Sequence, residues 1–181
     1  MQHVNLKLSE AQSFVKRFHR HSKPLKRHMF SIGAYNKFLM WSELSSFPIG
    51  LDGIVTVDRC SSAWSKERNF VEIRRVCLKP KAKKNTASFL IGKAKIACFA
   101  MGYSKIITYT QPHESGATLL ASGFWIADYH VKRYADDRIE GLIRWECSSY
   151  EKLTKHGVTA QRKYLEEIKR CIEKEDANEM V

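Results

Sequence analysis

The sequence predicts an α/β fold: a mixed sheet with flanking helices and an amphipathic helix at the C-terminus. The first observation lies mid-chain, where FVEIRRVCLKP opens residues 70–125. That run is rich in β-branched residues and ends at Lys79-Pro80, as suits a strand leaving a sheet. The second follows a loop of lysines: Phe89, Leu90, Lys93, Ile96, Ala97 and Ala100 recur at helical spacing, and Gly102 is placed to stop the helix. The third is KIITYT over residues 105–110, a short strand, followed by a short helix over 115–121 closed by Gly123. Strand, helix and parallel strand in this order make one right-handed crossover unit.

The flanking elements follow from local signals. Ser9 with Gln12 reads as a capping box, opening a helix that carries Phe14, Val15 and Phe18 on one face. Pro24 forbids its continuation. Residues 29–35 (MFSIGAY) and 53–57 (GIVTV) alternate as two antiparallel strands, joined through a Ser-rich loop around residues 41–48. Residues 60–69 are a polar connection. Past Trp125, residues 126–134 and 139–146 read as strands. Residues 159–174 form an amphipathic helix with Tyr164, Leu165, Ile168, Cys171 and Ile172 on one stripe. Neither an internal repeat nor a linker divides the chain, so the expectation is one domain over residues 1–150. A helical tail over residues 151–181 packs on it or extends it.

Composition narrows the partner. The chain has 181 residues, is 44% hydrophobic, and carries a net charge of +12, which points to a polyanion. The charge is clustered: residues 11–42 and 73–113 contain no acid, while Asp136-Asp137 and Glu166-Glu167 gather towards the C-terminus. That asymmetry predicts one anion-binding face. The five cysteines are widely spaced without a C-x-x-C pair, which suggests neither a zinc knuckle nor a disulfide framework. The start MQHVNLKLSE lacks an apolar leader core and no stretch approaches a membrane span, so a reducing cytoplasm is the expected setting.

Several residues are placed for chemistry. Asn85, Thr86 and Ser88 open a helix directly after a strand, where unpaired N–H groups and the positive dipole end bind anions. Lys83 and Lys84 add charge there; the alternative is an ordinary N-cap with solvated lysines. Strand alternation turns Arg74 and Arg75 to opposite faces. Arg74, beside Glu72 on the more polar face, is the better candidate to reach a phosphate or substrate. His19, His21 and His28 form the densest histidine cluster, and His19 and His21 converge only if the helix ends between them. They then serve as a base, a metal ligand or a phosphate contact, or else lie on a basic surface; with no nearby Cys, Asp or Glu, no metal site is assigned. Arg20, Lys23 and Arg27 in the same segment are expected nucleic-acid contacts. Tyr109, near the C-terminal end of its strand, is either a general acid or a core aromatic. Ser115 opens the next short helix and can present N–H groups to a substrate, and the loop Gln111-Pro112-His113-Glu114 offers a base beside an acid. Trp125 and Trp41 either stack on a base or lie in the core.

The pattern Val76, Leu78, Pro80, then a loop and helix, then Gly102, Ile106-Ile107, Tyr109 and Gly123-Phe124 resembles the core of the GNAT acyltransferase fold. The likeness covers roughly half the chain. The wordings E-I-x-R-V-C, N-T-x-S-F-L and I-I-T-Y-T, with the upstream F-H-R-H-x-K-P, are similar to the Mom-like DNA-modification proteins of phages and mobile elements. The resemblance implies a transferase with an acyl-CoA donor, acetyl-CoA in the wider fold group, acting on an adenine-type amine in DNA turned out of the duplex. An acetyl-CoA-dependent N-acetyltransferase on a small amine or protein, and a non-catalytic DNA-binding protein, are the alternatives. The chain departs from ordinary GNAT enzymes in two places. Its loop over residues 81–88 lacks the glycines of the usual pyrophosphate loop, and Leu119 stands where many carry a tyrosine acid. Gln111 stands where the Mom-like pattern has an acidic residue.

Overall fold

Helix α1 (Leu8–Phe18) shows how local chemistry sets an element boundary. The Glu10 side chain reaches back to accept the Lys7 N–H at 2.7 Å, while the Ala11 N–H donates to the Lys7 carbonyl at 3.1 Å. Lys7 therefore occupies the cap, two residues before the Ser9 expected from the capping-box pattern. In this computed structural model the described residues are 1–18, 25–60, 68–131, 141–149 and 155–179, without the side chains of 130, 155–156 and 172–179. They form an α/β chain with the strands β1 (Gln2–Leu6), β2 (Phe30–Met40), β3 (Ile49–Arg59), β4 (Phe70–Leu78), β5 (Lys105–Thr110), β6 (Trp125–Val131) and β7 (Leu142–Ser148). The remaining helices are α2 (Thr86–Ala100), α3 (Ala117–Ala121) and α4 (Lys155–Glu179). No helix among the described residues is long and apolar enough to cross a membrane. The chain packs as two units, Met1–Ile106 and Ile107–Val181.

In the first unit β1 to β4 pair in sequence order, each antiparallel to the next. One face packs on α1 through a cluster of Leu6, Ala11, Phe14, Val15, Leu51, Ile54 and Cys77. Phe14 is fully buried, with its ring 4.7 Å from Phe18 and 5.2 Å from Phe47. Adjacent residues of β3 serve the two helices: Ile54 joins the α1 cluster, whereas a Cβ on Gly53 would lie 3.3 Å from Leu90 of α2. The buried stripe of α2 is Thr86, Leu90, Ile91, Ala94 and Cys98. This corrects the expected face, because Ile96 is 67% exposed. Periodicity found the helix, but two stripes competed, and the one with the small residues Thr86, Ala94 and Cys98 allows the closer approach to the sheet.

In the second unit β5 neighbours β7, and β7 pairs antiparallel with β6. The fully buried Trp145 of β7 donates its indole N–H to Thr110 Oγ1 of β5 at 2.8 Å. Helix α4 packs on β6 and α3. It buries Leu165 and Ile168, and Gln161 Oε1 accepts the Ile126 N–H at 2.8 Å. Tyr164, expected on the same stripe, is 37% exposed, and Cys171 is exposed as well. Cys60, Cys77, Cys98 and Cys147 are buried free thiols. Burial pushes Cys77 up to about 11 and Cys98 up to about 12, so neither offers a thiolate near neutrality.

Candidate functional site

The connection from β4 to α2 is the element around which the first unit's polar groups collect. After Leu78 the chain turns at residues 79–82, where the Ala82 N–H donates to the Lys79 carbonyl at 3.2 Å. Pro80 fills the second turn position and Lys81 the third, with φ +61°. Those are the marks of a type II turn, which favours glycine or asparagine where this chain has a lysine. A second left-handed residue, Asn85 at φ +68°, stands directly before α2 and makes no side-chain capping bond to the first turn. Asparagine is suited to that conformation. Asn85 works through its backbone rather than as a side-chain cap, and the Thr86 hydroxyl bonds back to the Lys83 carbonyl at 2.6 Å. The Asn85 side chain leaves the first turn of α2 without a cap bond, the kind of helix start at which an anion can bind. Lys83, Lys84 and Asn85 are exposed, Ser88 is half-buried and Thr86 is buried.

Beside this turn lies a cleft of about 480 Å³. Two irregularities in the β2–β3 pairing open it. Tyr35 pairs with Leu51 and Met40 with Ile49, so residues 36–39 of β2 lie across from Gly50 alone. Ala34 pairs with Gly53, so Asp52 is the extra residue on β3. Bulges of this kind re-aim side chains and gather beside functional sites. Gly50 has φ +99°, and a Cβ there would meet the Phe38 carbonyl at 2.2 Å, so only glycine fits. Lys79 Nζ holds Asp52 Oδ1 at 2.7 Å, and Lys83 Nζ donates to Asn36 Oδ1 at 2.9 Å.

Arg74 occupies a third irregularity. Thr56 pairs with Arg75 and Val57 with Ile73, so Arg74 is the extra residue on β4 and strict alternation fails across it. The expectation that Arg74 and Arg75 face opposite ways rested on that alternation. The Arg74 side chain, only 15% exposed, lies 3.4 Å from Glu72 Oε2, 3.9 Å from Asp58 Oδ2 and 3.2 Å from the Arg59 carbonyl. Arg75 Nη1 donates to the Arg74 carbonyl at 2.7 Å. Arg27, 67% exposed, reaches Asp58 Oδ2 at 3.1 Å. Asp52, Asp58 and Glu72 are buried in these pairs, whereas Glu10 is half-buried and Glu43 is exposed.

His28 is the described member of the histidine cluster; His19, Arg20, His21 and Lys23 lie outside the described residues. Its Nδ1 is 2.6 Å from Ser31 Oγ. Burial lowers its pKa below the usual 6.5, against a smaller opposing pull from the Asp58 carboxylate. A histidine held neutral in the fold stabilises fully above its unfolded value, and that contribution is lost as pH falls through the folded pKa. His28→Gln is therefore expected to flatten the fall in melting temperature between about pH 7 and pH 5. Parallel curves for the variant and the parent protein would show that His28 does not set it. Among the described residues, no group of three or more His, Cys, Asp or Glu stands together as a metal site.

In the second unit Tyr109 lies near the end of β5 and is half-buried. The loop after it closes on itself: the Gln111 N–H donates to Glu114 Oε2 at 2.7 Å, and the Glu114 N–H returns to the Gln111 carbonyl at 3.1 Å. Glu114 is thus engaged in the turn, while His113 and Ser115 are exposed. Ser115 Oγ lies 3.5 Å from the Ala117 nitrogen at the start of α3. Leu119 is buried in the core, and Trp125 is half-buried opposite Glu146. Of the two tryptophans singled out for stacking, Trp41 is the more open, at 58% exposed.

Of residues 36–50, the walls and tip of the β2–β3 hairpin, only Trp41 was singled out from the sequence, as a stacking candidate. Their one sequence signal is Phe38, Leu39, Met40 and Trp41 running consecutively after Lys37, an apolar run that neither alternates nor follows a helical period.

No protein-family model matches the chain, and neither does any curated protein. Solved structures do. A chain of the NatC complex, bound to Gag peptide and CoA, superimposes with a TM-score of 0.57 at 14% identity, covering 82% of this chain and 99% of that one. The fold is GNAT-like. Nourseothricin acetyltransferase matches with a TM-score of 0.49 at 14% identity, over 66% of this chain and 64% of that one. The PaiA N-acetyltransferase of Thermoplasma acidophilum, in complex with coenzyme A, matches with a TM-score of 0.43 at 17% identity, over 65% and 59%. The chain thus spans less than two thirds of these last two proteins.

Proposed function

We propose that this chain is an acyltransferase that takes an acyl group, acetyl above all, from acyl-CoA and delivers it to an amine on a nucleic-acid base. The observation that carries the reading is the β4–α2 connection: two left-handed residues and an uncapped helix start among exposed lysines, in a fold shared with a CoA-bound structure. The connection fits a cofactor with a pyrophosphate. Its backbone turns twice without glycine, and the N–H groups at the start of α2 point where an anion is stabilised. Lys83, Lys84, Asn85, Thr86 and Ser88 would hold it, and bound there it supplies an activated thioester carbonyl.

The chain's own residues then have the remaining work. The acceptor amine must lose a proton as its nitrogen bonds to the carbonyl carbon, and the departing thiolate must gain one as the C–S bond breaks. Tyr109 is the candidate for the second task, because Leu119 has no proton to give. His113, exposed and four residues after Tyr109, is a candidate base, whereas Glu114 is committed to its turn. Nucleic acid as the acceptor, in the manner of the Mom-like proteins, is favoured by the burial of Asp52, Asp58 and Glu72, which leaves only Glu10 and Glu43 among the first unit's described carboxylates to offset exposed lysines such as Lys37, Lys81, Lys83 and Lys84.

The test is nucleoside mass spectrometry of DNA from cells expressing the chain, run beside a thiol-release assay with acetyl-CoA and a panel of amines. A modified adenine nucleoside is the expected product. Unmodified DNA together with rapid acetylation of a small amine or peptide would assign the acceptor to that class instead. Silence in both assays would leave a nucleic-acid-binding protein without transferase chemistry.

A further inference from the structure

We propose that the cleft beside the β2–β3 hairpin is a binding site for a single strand of nucleic acid, with the backbone phosphates on its lysines and bases against the hairpin tip. The inference deepens the proposed function by placing the acceptor strand, and it rests on that reading only for what happens after binding.

Three features of the cleft point to a polyanion. Lys37 and Lys81 line it together with Lys83, which the proposed donor site already uses, and its one carboxylate, Asp52, is neutralised by Lys79 at 2.7 Å. Lys81 sits at φ +61°, where a non-glycine residue costs roughly 1–2 kcal/mol of backbone strain. Glycine would fill that turn position without strain, so keeping a lysine there is best explained by what its ammonium group does. The cleft is also concave and lies at two successive bulges of the hairpin rather than spread over a flat surface.

A fourth feature selects among polyanions. The hairpin next to these lysines exposes Phe38 at 59%, Met40 at 51%, Trp41 at 58% and Leu44 at 100%. Trp41 Nε1 donates to Glu10 Oε1 at 3.1 Å, which pins the edge of the indole while most of its surface stays open. An inorganic phosphate or an acidic peptide has no use for open aromatic rings beside a lysine-lined cleft. An unstacked base has, because every base offers a π-face and its backbone supplies the charge. A bilayer of anionic lipid also combines charge with apolar contact, but its flat surface does not fit lysines gathered in a concavity.

Fluorescence anisotropy with a labelled oligothymidine and the full-length chain, with no acyl donor present, tests this directly. The expected affinity falls about sevenfold between about 50 and 200 mM salt, as about two phosphate contacts, at Lys37 and Lys81, require for a single strand. Lys37→Gln is expected to reduce the slope of log affinity against log salt by about 0.7. Phe38→Ala with Trp41→Ala should weaken binding about tenfold or more, with a smaller effect on the slope. Lys81→Gly removes charge and strain together, so it should weaken binding while leaving the melting temperature equal or higher. That variant separates a lost contact from a damaged fold.

Unchanged oligonucleotide affinity in Lys81→Gly and in Phe38→Ala with Trp41→Ala overturns the proposal. So does full displacement of the oligonucleotide by coenzyme A, which would give the cleft to the donor. Binding to anionic vesicles that those same variants lose, with oligonucleotide binding intact, would give the hairpin to a membrane. Failure of the acyl-transfer reading leaves these results standing, since none of them depends on turnover.

Discussion

Gly116→Ala is expected to destabilise the protein by about 2–5 kcal/mol, read as a lowered denaturant midpoint with an unchanged m value. Two costs combine at this position. Gly116 has φ +61°, where an L side chain costs roughly 1–2 kcal/mol. An added Cβ would also stand 2.5 Å from Trp145 Cζ2 and 2.6 Å from Cη2. Trp145 is fully buried and its indole N–H is held by Thr110, so the ring cannot step aside without giving up that bond. Overpacking of this sort costs roughly 1–3 kcal/mol. The contrast is Gly92, inside α2 with nothing within 4 Å of its Cβ position, where alanine should stabilise by about 0.5–1 kcal/mol. A Gly116→Ala protein as stable as the parent would mean that Trp145 does not brace the start of α3, and the placement of Ser115 would have to come from elsewhere.

The same contrast between backbone and side chain explains what could be read from the sequence. The crossover unit was legible because its signals are local. β5 falls on KIITYT, Gly102 and Gly123 end their helices with positive φ, and Pro80 takes the second position of its turn. β1 was not legible, because Gln2, His3 and Asn5 are poor strand formers, and the strand exists through its pairing with β2. The outer halves of β2 and β3 were also missed. Residues 36–39 and Asp52 break the period-two pattern where the strands bulge, so alternation left them outside the strands. That failure coincides with the candidate site, since the irregularity that hides the strands from the pattern is what opens the cleft. Arg74 shows the same limit. Alternation assigned it a face, whereas its bulged position and its partners Glu72 and Asp58 are properties of the fold alone.

Glu72→Gln is expected to cost about 3 kcal/mol of stability, the lower end of the range for breaking a buried ion pair. Glu72 is 2% exposed, and its carboxylate lies 3.4 Å from the Arg74 guanidinium. Glutamine keeps the volume and removes the charge, leaving Arg74 to Asp58 at 3.9 Å and the Arg59 carbonyl at 3.2 Å. Those contacts keep the loss towards the lower end. Arg74→Met reverses the situation, leaving a carboxylate in a buried site, and a loss of the same order is expected. With both changed, no charge is stranded, so the double variant should be about 1–3 kcal/mol more stable than the sum of the two losses. Strict additivity would show that the pair is not coupled and that each side chain is held by other neighbours. The cycle also bears on function, because Arg74 was the strand residue expected to reach a phosphate. An Arg74→Met protein of full stability whose KM for acyl-CoA rises would return Arg74 to donor binding. Lost stability with an unchanged KM assigns it to holding β4 at its bulge, with the phosphates left to the β4–α2 connection.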